Sequence, residues 1–156
     1  MADASTKQWT SFLGTGWSFP PEFVKQGAAG DVGSVVMSAD EEDIQASLAI
    51  LLSTAQGERL FYPKYGLDLR DQIFESLSTT AETYLKDRVR DGILIYEPRI
   101  EILALELESD RRYEGIVQLR LEYRVRTTNS RYNLVFPFYQ SGDAVELRAS
   151  SAAPAA

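Results

Sequence analysis

Cysteine and histidine are both absent from the 156 residues of this chain. Disulfides, thiol nucleophiles, Cys/His zinc sites and histidine-based acid–base catalysis are therefore excluded. No apolar run approaches the roughly 20 residues that a membrane span needs, and the first residues lack the basic start and apolar core of a signal peptide. We therefore expect a chain that is made and assembled in a cytoplasm, without insertion into a membrane.

The composition that remains is that of a folded domain, with 44% hydrophobic and 25% charged residues. The net charge of −7 is unevenly spread, because residues 1–98 carry 8 basic and 15 acidic side chains whereas residues 99–156 carry 8 of each. Residues 111–131 hold six arginines against two glutamates. An acidic half and a locally basic segment suit self-assembly or an acidic protein partner. The overall acidity argues against non-specific nucleic-acid binding.

Residues 1–33 are predicted to be an N-terminal arm followed by an aromatic and glycine-rich loop. Residues 1–11 are small and polar, which favours a mobile arm. Glycines and prolines deny residues 12–23 regular structure, yet large aromatic side chains are not typical of disorder. We expect an ordered loop held by Trp17, Phe19 and Phe23. These aromatics either cover the domain's own core or bind a partner, and the sequence leaves both open.

Helical patterns fill most of residues 38–96. Ser38 and Glu41 fit a capping box, and the apolar residues that follow predict a helix ending near residues 54–56, before Gly57. Residues 68–75 are predicted to form a short second helix, with Leu69, Ile73 and Phe74 facing inward. A third helix is predicted from Ser78 or Thr79, with Thr79 and Glu82 as a further capping box. Its buried face is formed by residues at i+4 spacing, namely Ala81, Leu85, Val89 and Ile93.

After Pro98 the apolar period changes from helical to two, which is typical of strands. Residues 117–126 alternate without interruption, whereas residues 100–108 change phase in a way that a bulge near Ile102 and Leu103 explains. A third alternating strand spans residues 132–138, and Pro137 marks either an edge strand or the end of this strand. Residues 144–148 are a candidate last strand. The predicted fold class is α+β, with about three helices packed on one face of a small antiparallel β-meander.

Glu97, Pro98 and Arg99 lie where the helical pattern ends, because proline disfavours helix at the residue before it. The two opposite charges flank a rigid residue, and we interpret them as a structural ion pair. Acid–base hydrolysis of a sugar is the one enzymatic alternative, with Glu97 as acid and Glu101 or Glu58 as partner. The nearby arginine favours a charged carboxylate, whereas a general acid must carry a proton. We therefore predict no catalytic residue, no metal and no cofactor.

Four segments together resemble one family of proteins. They are SADEEDIQAS (residues 38–47), LLSTAQGER (51–59), PKYG (63–66) and YEPRI (96–100). The chain resembles, over about residues 30–140, the baseplate wedge protein W family of contractile phage tails, also called the lysozyme-like baseplate family. The corresponding wedge component of type VI secretion systems is similar to it as well. The implied domain spans residues 34–148, and residues 149–156 form a loose C-terminal tail.

The resemblance implies a structural, non-enzymatic role in a six-fold baseplate, assembled in a bacterial cytoplasm. Such a protein joins the wedge core to the first ring of the contractile sheath, and the tail tube and the spike or hub are further candidate partners. The family's Glu-Pro-Arg loop contacts the wedge core, which corresponds here to Glu97, Pro98 and Arg99. Its sheet accepts strands from the sheath, and the matching edge strand here carries Tyr132, Leu134, Phe136 and Phe138.

The resemblance leaves the kind of particle open. A phage tail, a type VI secretion system and an extracellular contractile injection particle that could be released from the cell all fit. The aromatic loop around Trp17 is not required by the family pattern, so its role is left open as well. A peptidoglycan-cleaving, lysozyme-like hydrolase is the alternative function.

Overall fold

The computed structural model describes residues 12–24, 33–67, 69, 73–74 and 78–140. The chain divides into two compact units, residues 1–46 and 47–156. The predicted arm at residues 1–11, nearly all of the glycine-rich link, the candidate strand at 144–148 and the C-terminal tail lie outside the described residues. The domain boundaries proposed from the sequence stay predictions.

The N-terminal unit contains two small antiparallel strand pairs. Strand β1 (Thr15–Trp17) pairs with β4 (Met37–Ala39), and β2 (Phe23–Val24) pairs with β3 (Ser34–Val35). Gly16 permits a close approach here, because a Cβ at that position would collide with Oδ1 of Asp43. The sequence predicted an ordered loop without strands, since strands of two or three residues give no periodic signal.

Helix α1 (Asp40–Ser53) begins one residue later than predicted. Ser38 belongs to β4, where it pairs with Gly16, and the chain turns into the helix at Asp40 with a φ of +56°. The Ser38 hydroxyl lies 3.5 Å from the Trp17 carbonyl oxygen and 3.4 Å from Oδ1 of Asp43. Because the helix begins at Asp40, its N-cap position falls on Ala39, and the prediction of Ser38 as N-cap is wrong.

Helix α2 (Thr79–Tyr96) ends where the sequence predicted, with Glu97 as its C-cap. Its N-cap is Ser78, whose hydroxyl oxygen accepts a hydrogen bond of 3.2 Å from the Ala81 N–H. Thr79 is already helical, so the capping box predicted for Thr79 and Glu82 is wrong, and Ser78 with Ala81 at N3 forms a simple N-cap. The predicted buried face is confirmed at its three large residues, Leu85, Val89 and Ile93.

The described residues contain two α-helices, whereas the sequence predicted about three. In the region of the short predicted helix only residues 69, 73 and 74 are described, and Ile73 and Phe74 are helical. The Ile73 N–H donates to the Leu69 carbonyl oxygen at 3.0 Å, and both side chains are buried while Phe74 is half-buried. The rest of that prediction lies outside the described residues.

The second unit contains an antiparallel meander in the order β5–β6–β7. Its strands are β5 (Ile100–Glu108), β6 (Ile116–Val125) and β7 (Arg131–Tyr139), and a 3₁₀ turn (Arg112–Glu114) joins the first two. All five predicted inner residues of β6 are buried, namely Val117, Leu119, Leu121, Tyr123 and Val125. The class of antiparallel sheet with helices is therefore as predicted.

The predicted bulge in β5 is present, because the pairing register shifts between Ile102 and Ala104. Leu103 is the additional residue and is 39% exposed. It therefore does not share the inward face of Leu105 and Leu107, which is where the sequence pattern placed it. β7 is an edge strand among the described strands, as Pro137 predicted.

Helix α2 contacts β5, and the end of α1 lies beside β7. The buried apolar side chains of the second unit include residues of both helices and of all three strands. Within the described part of the chain, neither helix combines the length and the apolarity that a membrane crossing requires.

Candidate functional site: a buried corner and an open strand edge

A buried ion pair forms the corner between α2 and β5, which we define as residues 96–100. Nε of Arg99 lies 2.5 Å from Oε1 of Glu97, and Nη2 lies 2.7 Å from Oε2. The Glu97 side chain is 3% exposed and that of Arg99 is 29% exposed. Two parallel charge-assisted hydrogen bonds of this kind orient the guanidinium as well as neutralising the carboxylate. The ion pair expected from the sequence is therefore present, and it is deeper than a surface pair.

Backbone hydrogen bonds tie this corner to both neighbouring elements. The Glu97 N–H donates to the Ile93 carbonyl oxygen at 2.8 Å, which closes the last turn of α2. On the sheet side, the Arg126 N–H donates to the Arg99 carbonyl oxygen at 2.9 Å, and Nε of Arg126 donates to the Ile100 carbonyl oxygen at 3.1 Å. The corner is thus held between the end of α2 and the end of β6.

Tyrosine and arginine side chains from the loop of residues 54–67 surround the corner. The Tyr96 hydroxyl donates to the Lys64 carbonyl oxygen at 2.7 Å, and the rings of Tyr65 and Tyr96 meet edge to face at 5.0 Å. The Arg59 guanidinium lies 4.1 Å from the centre of the Tyr65 ring. Burial raises the pKa of the Tyr65 phenol, and the charge of Arg59 opposes that rise. Three sequence motifs that are separate along the chain therefore meet in space.

Two glycines allow the 54–67 loop to approach its neighbours closely. Gly66 has a φ of +105°, and a Cβ there would collide with the Thr54 carbonyl oxygen. Gly92 lies on α2 where a Cβ would collide with the Leu67 side chain. The loop is also closed by the bond from the Gly57 N–H to the Pro63 carbonyl oxygen, at 2.8 Å. The loop is therefore packed against α2.

Large apolar side chains in the 54–67 loop and at the end of α2 are exposed, and sequence reasoning missed them as functional candidates. Leu60, Phe61 and Tyr62 are well exposed in the 54–67 loop, with Phe61 at 87%. Leu94 and Ile95, immediately before the corner, are 66% and 67% exposed. The available signal was a run of three apolar residues inside a segment otherwise rich in turn residues. Clusters of exposed apolar residues are typical of interaction surfaces.

The outer edge of β7 presents backbone groups that no described strand pairs. The N–H of Val125 donates to the Ser130 carbonyl oxygen, and the N–H of Gln140 donates to that of Gly115, both at 2.9 Å. Hydrogen-bonding direction alternates along a strand, so the even-numbered residues of β7 face β6. The odd-numbered residues therefore direct their backbone groups outward, namely Arg131, Asn133, Val135, Pro137 and Tyr139.

The four β7 residues predicted to bind sheath strands are even-numbered, so their backbone groups face β6 and not the outer edge. Leu134, Phe136 and Phe138 are buried, and Tyr132 is half-buried with its ring stacked on Tyr123. Their side chains belong to the core, so strand addition at β7 would use the backbone of the odd-numbered residues. The role of the four residues stays a prediction.

The arginine-rich face of the sheet is largely neutralised by carboxylates. Nη2 of Arg124 lies 2.5 Å from Oε2 of Glu101, and Nη2 of Arg120 lies 2.9 Å from Oε1 of Glu108. The hydrogen bond from Arg124 lowers the pKa of the Glu101 carboxyl, and the charge of Arg124 adds to that effect. The surface of the sheet is therefore less basic than the excess of arginines in residues 111–131 suggests, because carboxylates of β5 pair with two of them.

The N-terminal aromatics are exposed. Trp17 and Phe23 are 62% and 72% exposed and meet edge to face at 6.3 Å, and Phe19 is 47% exposed. These exposures favour the partner-contact alternative over the alternative in which the rings cover the core. Their role in binding stays a prediction.

The carboxylates weighed for hydrolysis are each engaged in local structure. Both oxygens of Glu97 bind Arg99, Glu101 binds Arg124, and Oε2 of Glu58 accepts from the Ala55 N–H at 3.0 Å. Within the described residues, no group of three or more acidic side chains could hold a metal ion.

Comparison with known proteins relates these motifs to one family. A family model described as baseplate wedge protein gp25 matches residues 38–130. The chain is 34% identical over 64 residues to baseplate wedge protein gp25 of Enterobacteria phage T4, which covers 41% of this chain and 48% of that protein. The chain thus spans about half the length of the curated relative that it matches.

Two solved structures are similar to the chain. The crystal structure of a putative tail lysozyme from Geobacter sulfurreducens is 40% identical with a TM-score of 0.62, covering 71% of this chain and all of that one. The cryo-EM structure of the 6-fold-symmetrised baseplate of the anti-feeding prophage is 24% identical with a TM-score of 0.52, covering 82% and 86%. The second likeness is one of fold alone.

Proposed function

Because this chain belongs to the baseplate wedge protein gp25 family, we propose that it joins the wedge core of a contractile injection particle to the first ring of its sheath. It is a structural protein, present in each wedge of a six-fold baseplate, and it templates sheath assembly by accepting a strand at its sheet edge. The observation that carries the proposal is the buried corner between helix and sheet, which gives both contacts a fixed mutual geometry.

The corner binds the wedge core through Pro98 and Arg99, and the buried Glu97 carboxylate orients the Arg99 guanidinium. Pro98 is exposed and the Arg99 side chain is partly exposed, whereas Glu97 is not accessible to a partner. The neighbouring Leu94 and Ile95 supply apolar area. An oriented arginine beside exposed apolar side chains matches the composition of interface hot spots.

The sheath contact forms at β7, whose outward backbone groups can pair with an added strand. The aromatic side chains of Trp17, Phe19 and Phe23 provide a third contact, for which another wedge protein, the tube and the spike or hub are candidates. Assembly takes place in the bacterial cytoplasm.

A pair of matched double variants tests the wedge contact. Glu97→Gln with Arg99→Gln removes both corner charges without leaving one of them buried alone, whereas Glu101→Gln with Arg124→Gln removes an exposed pair on the sheet. Each variant replaces the wild-type chain in a host that makes the complete particle, and negative-stain microscopy counts sheathed particles. Circular dichroism of the purified variants confirms that both remain folded.

We expect the corner variant to give free tubes without sheath, or no particles, and the sheet variant to give normal particles. Normal numbers of contractile particles from the corner variant would contradict the proposal.

The lysozyme-like alternative has its own test. The full chain is added to purified peptidoglycan and turbidity is followed, with Glu97→Gln as the comparison. Clearing by the wild-type chain that is lost in the variant would replace the structural proposal by a hydrolase. The engagement of Glu97 by Arg99 supports the expectation that turbidity stays constant.

A further inference from the structure

A groove of about 220 Å³ lies between the C-terminal end of α1 and the last residues of β7. We call it the edge groove. It is smaller than the roughly 300–1,000 Å³ of sites that hold drug-sized ligands, so its size suits a single side chain. One wall is apolar and consists of Leu52, Phe136 and Phe138.

A second wall of the edge groove is rich in hydrogen-bond acceptors. It contains the Glu58 carboxylate and the hydroxyls of Ser53 and Thr54. Both hydroxyls already donate to the Ile50 carbonyl oxygen, at 3.2 Å and 2.6 Å, so their lone pairs remain as acceptors. The wall is also the C-terminal end of α1, where the helix dipole is negative and the last turn carries no basic residue.

We propose that the edge groove receives the arginine or lysine side chain of a partner strand that pairs with the outer edge of β7. This inference rests on the strand addition included in the proposed function and specifies the chemistry of the added strand. None of the described lining residues is basic, so no described residue of the lining neutralises the negative wall. The apolar wall accommodates the methylene stem of a long basic side chain while its charged end reaches Glu58.

The geometry of strand pairing directs a side chain to this position. Successive side chains of a strand point to opposite faces of the sheet, so every second residue of an added strand faces the side that Phe136 and Phe138 occupy. The edge groove begins directly beside these two residues. An inward residue of the added strand therefore enters it.

Pro137 makes such a side-chain contact useful. Pro137 is one of the residues whose backbone faces outward, but it has no N–H. It can therefore offer an added strand only its carbonyl oxygen, whereas Arg131, Asn133 and Val135 each offer an N–H and a carbonyl oxygen. A charge contact at the proline-containing end adds selectivity where backbone pairing is reduced.

Labelled peptides test the proposal on the full-length protein. Four ten-residue peptides alternate threonine and valine and differ at one central position, which is Arg, Gln, Leu or Glu, and fluorescence anisotropy gives their dissociation constants. We expect the Arg peptide to bind at least tenfold more tightly than the Glu peptide and at least threefold more tightly than the Leu peptide. The Glu58→Gln variant should remove most of the preference for Arg over Leu, because its amide oxygen can still accept from Ala55 while the charge is lost.

Two control variants separate charge selectivity from strand addition. Glu106→Gln removes an exposed carboxylate on β5 and should leave all four dissociation constants unchanged. Val135→Pro removes an outward N–H without removing a bond to β6, and should weaken all four peptides alike.

Three outcomes would overturn the inference. Equal binding of all peptides, or tightest binding of the Leu peptide, would show a groove for an apolar anchor while strand addition itself survives. Binding of no peptide would exclude this edge as a receptor for extended chains. Slow hydrogen exchange at Arg131, Asn133, Val135 and Tyr139 in the unbound protein would show that the chain itself, or a second copy, covers the edge. The particle count for the corner variant judges the proposed function independently of all three.

Discussion

Two glutamate–arginine pairs in this molecule have the same shortest N–O distance of 2.5 Å but lie in different surroundings. At the corner, the Glu97 and Arg99 side chains are 3% and 29% exposed, whereas Glu101 and Arg124 on the outer sheet face are 43% and 35% exposed. Water competes for the exposed pair, and a buried carboxylate depends on its arginine to replace lost hydration. Burial, and not distance, therefore decides what each pair does for the fold.

Removal of one arginine at a time gives the largest expected difference between the two pairs. Arg99→Ala leaves the Glu97 carboxylate buried without its bidentate partner, and we expect it to lower the free energy of unfolding by about 3–5 kcal/mol. Arg124→Ala exposes Glu101 to water and should have a much smaller effect. Urea denaturation followed by circular dichroism measures both, and equal losses would show that the comparison is mistaken.

Two glycines near the corner extend the comparison from charge to packing. Gly66→Ala combines a positive φ with a collision against the Thr54 carbonyl oxygen, and we expect a loss of about 2–4 kcal/mol. Gly57→Ala shares a positive φ of +85°, but no atom lies within 4 Å of the added Cβ, so the loss should be about 1–2 kcal/mol. Thermal unfolding compares them. A larger loss for Gly57→Ala would contradict the tight packing of the loop.

The opposite end of α2 offers an exposed hydrogen bond for comparison with the buried corner. Ser78→Ala removes the cap of the Ala81 N–H and should lower the free energy of unfolding by about 1 kcal/mol. Thr79→Ala keeps that cap and should have almost no effect. Denaturant unfolding of both variants also decides which of the two neighbouring residues begins the helix, and a greater loss for Thr79→Ala would restore the prediction from the sequence.

The smallest expected effect is the titration of the exposed pair. The hydrogen bond from Arg124 lowers the pKa of Glu101 below its ordinary value of 4.5, so Arg124→Gln should raise it. Because the carboxyl is more acidic in the folded chain, its stabilising contribution is present above about pH 4.5 and is lost as the pH falls through the folded pKa. Carbon-detected NMR titration of the Glu101 carboxyl measures the shift. Arg90→Gln, on α2, serves as the control and should leave the pKa of Glu101 unchanged.

The regular elements could be predicted because their periodicity is local. Strict alternation identified the inner residues of β6, and residues at i+4 spacing identified the buried face of α2. Pro98 correctly marked the end of that helix, since its effect acts on the preceding residue alone. The phase change in β5 correctly indicated a bulge, although Leu103 itself lies outside the inner face.

The parts of the site that depend on tertiary contacts could not be predicted in the same way. Nothing local indicates that Tyr65 meets Tyr96, which lies 31 residues further along the chain. The burial of Glu97 also depends on surrounding elements, although its pairing with Arg99 was expected from their spacing. Hydrogen-bond direction in β7 required the register of its pairing with β6, and alternation by itself does not supply that register.

Pro137 also has a consequence for the protein before it meets its partners. An exposed strand edge can template aggregation, because copies of one protein can join through continuous backbone ladders. A ladder along β7 would lack a donor at Pro137 in both participating copies. The proline thus weakens pairing between two copies of β7 more than pairing between β7 and a partner strand. The partner strand keeps the additional contact of its basic side chain in the edge groove. Among the described strands, the missing N–H at Pro137 therefore makes the outer edge of β7 a poorer template for filament growth.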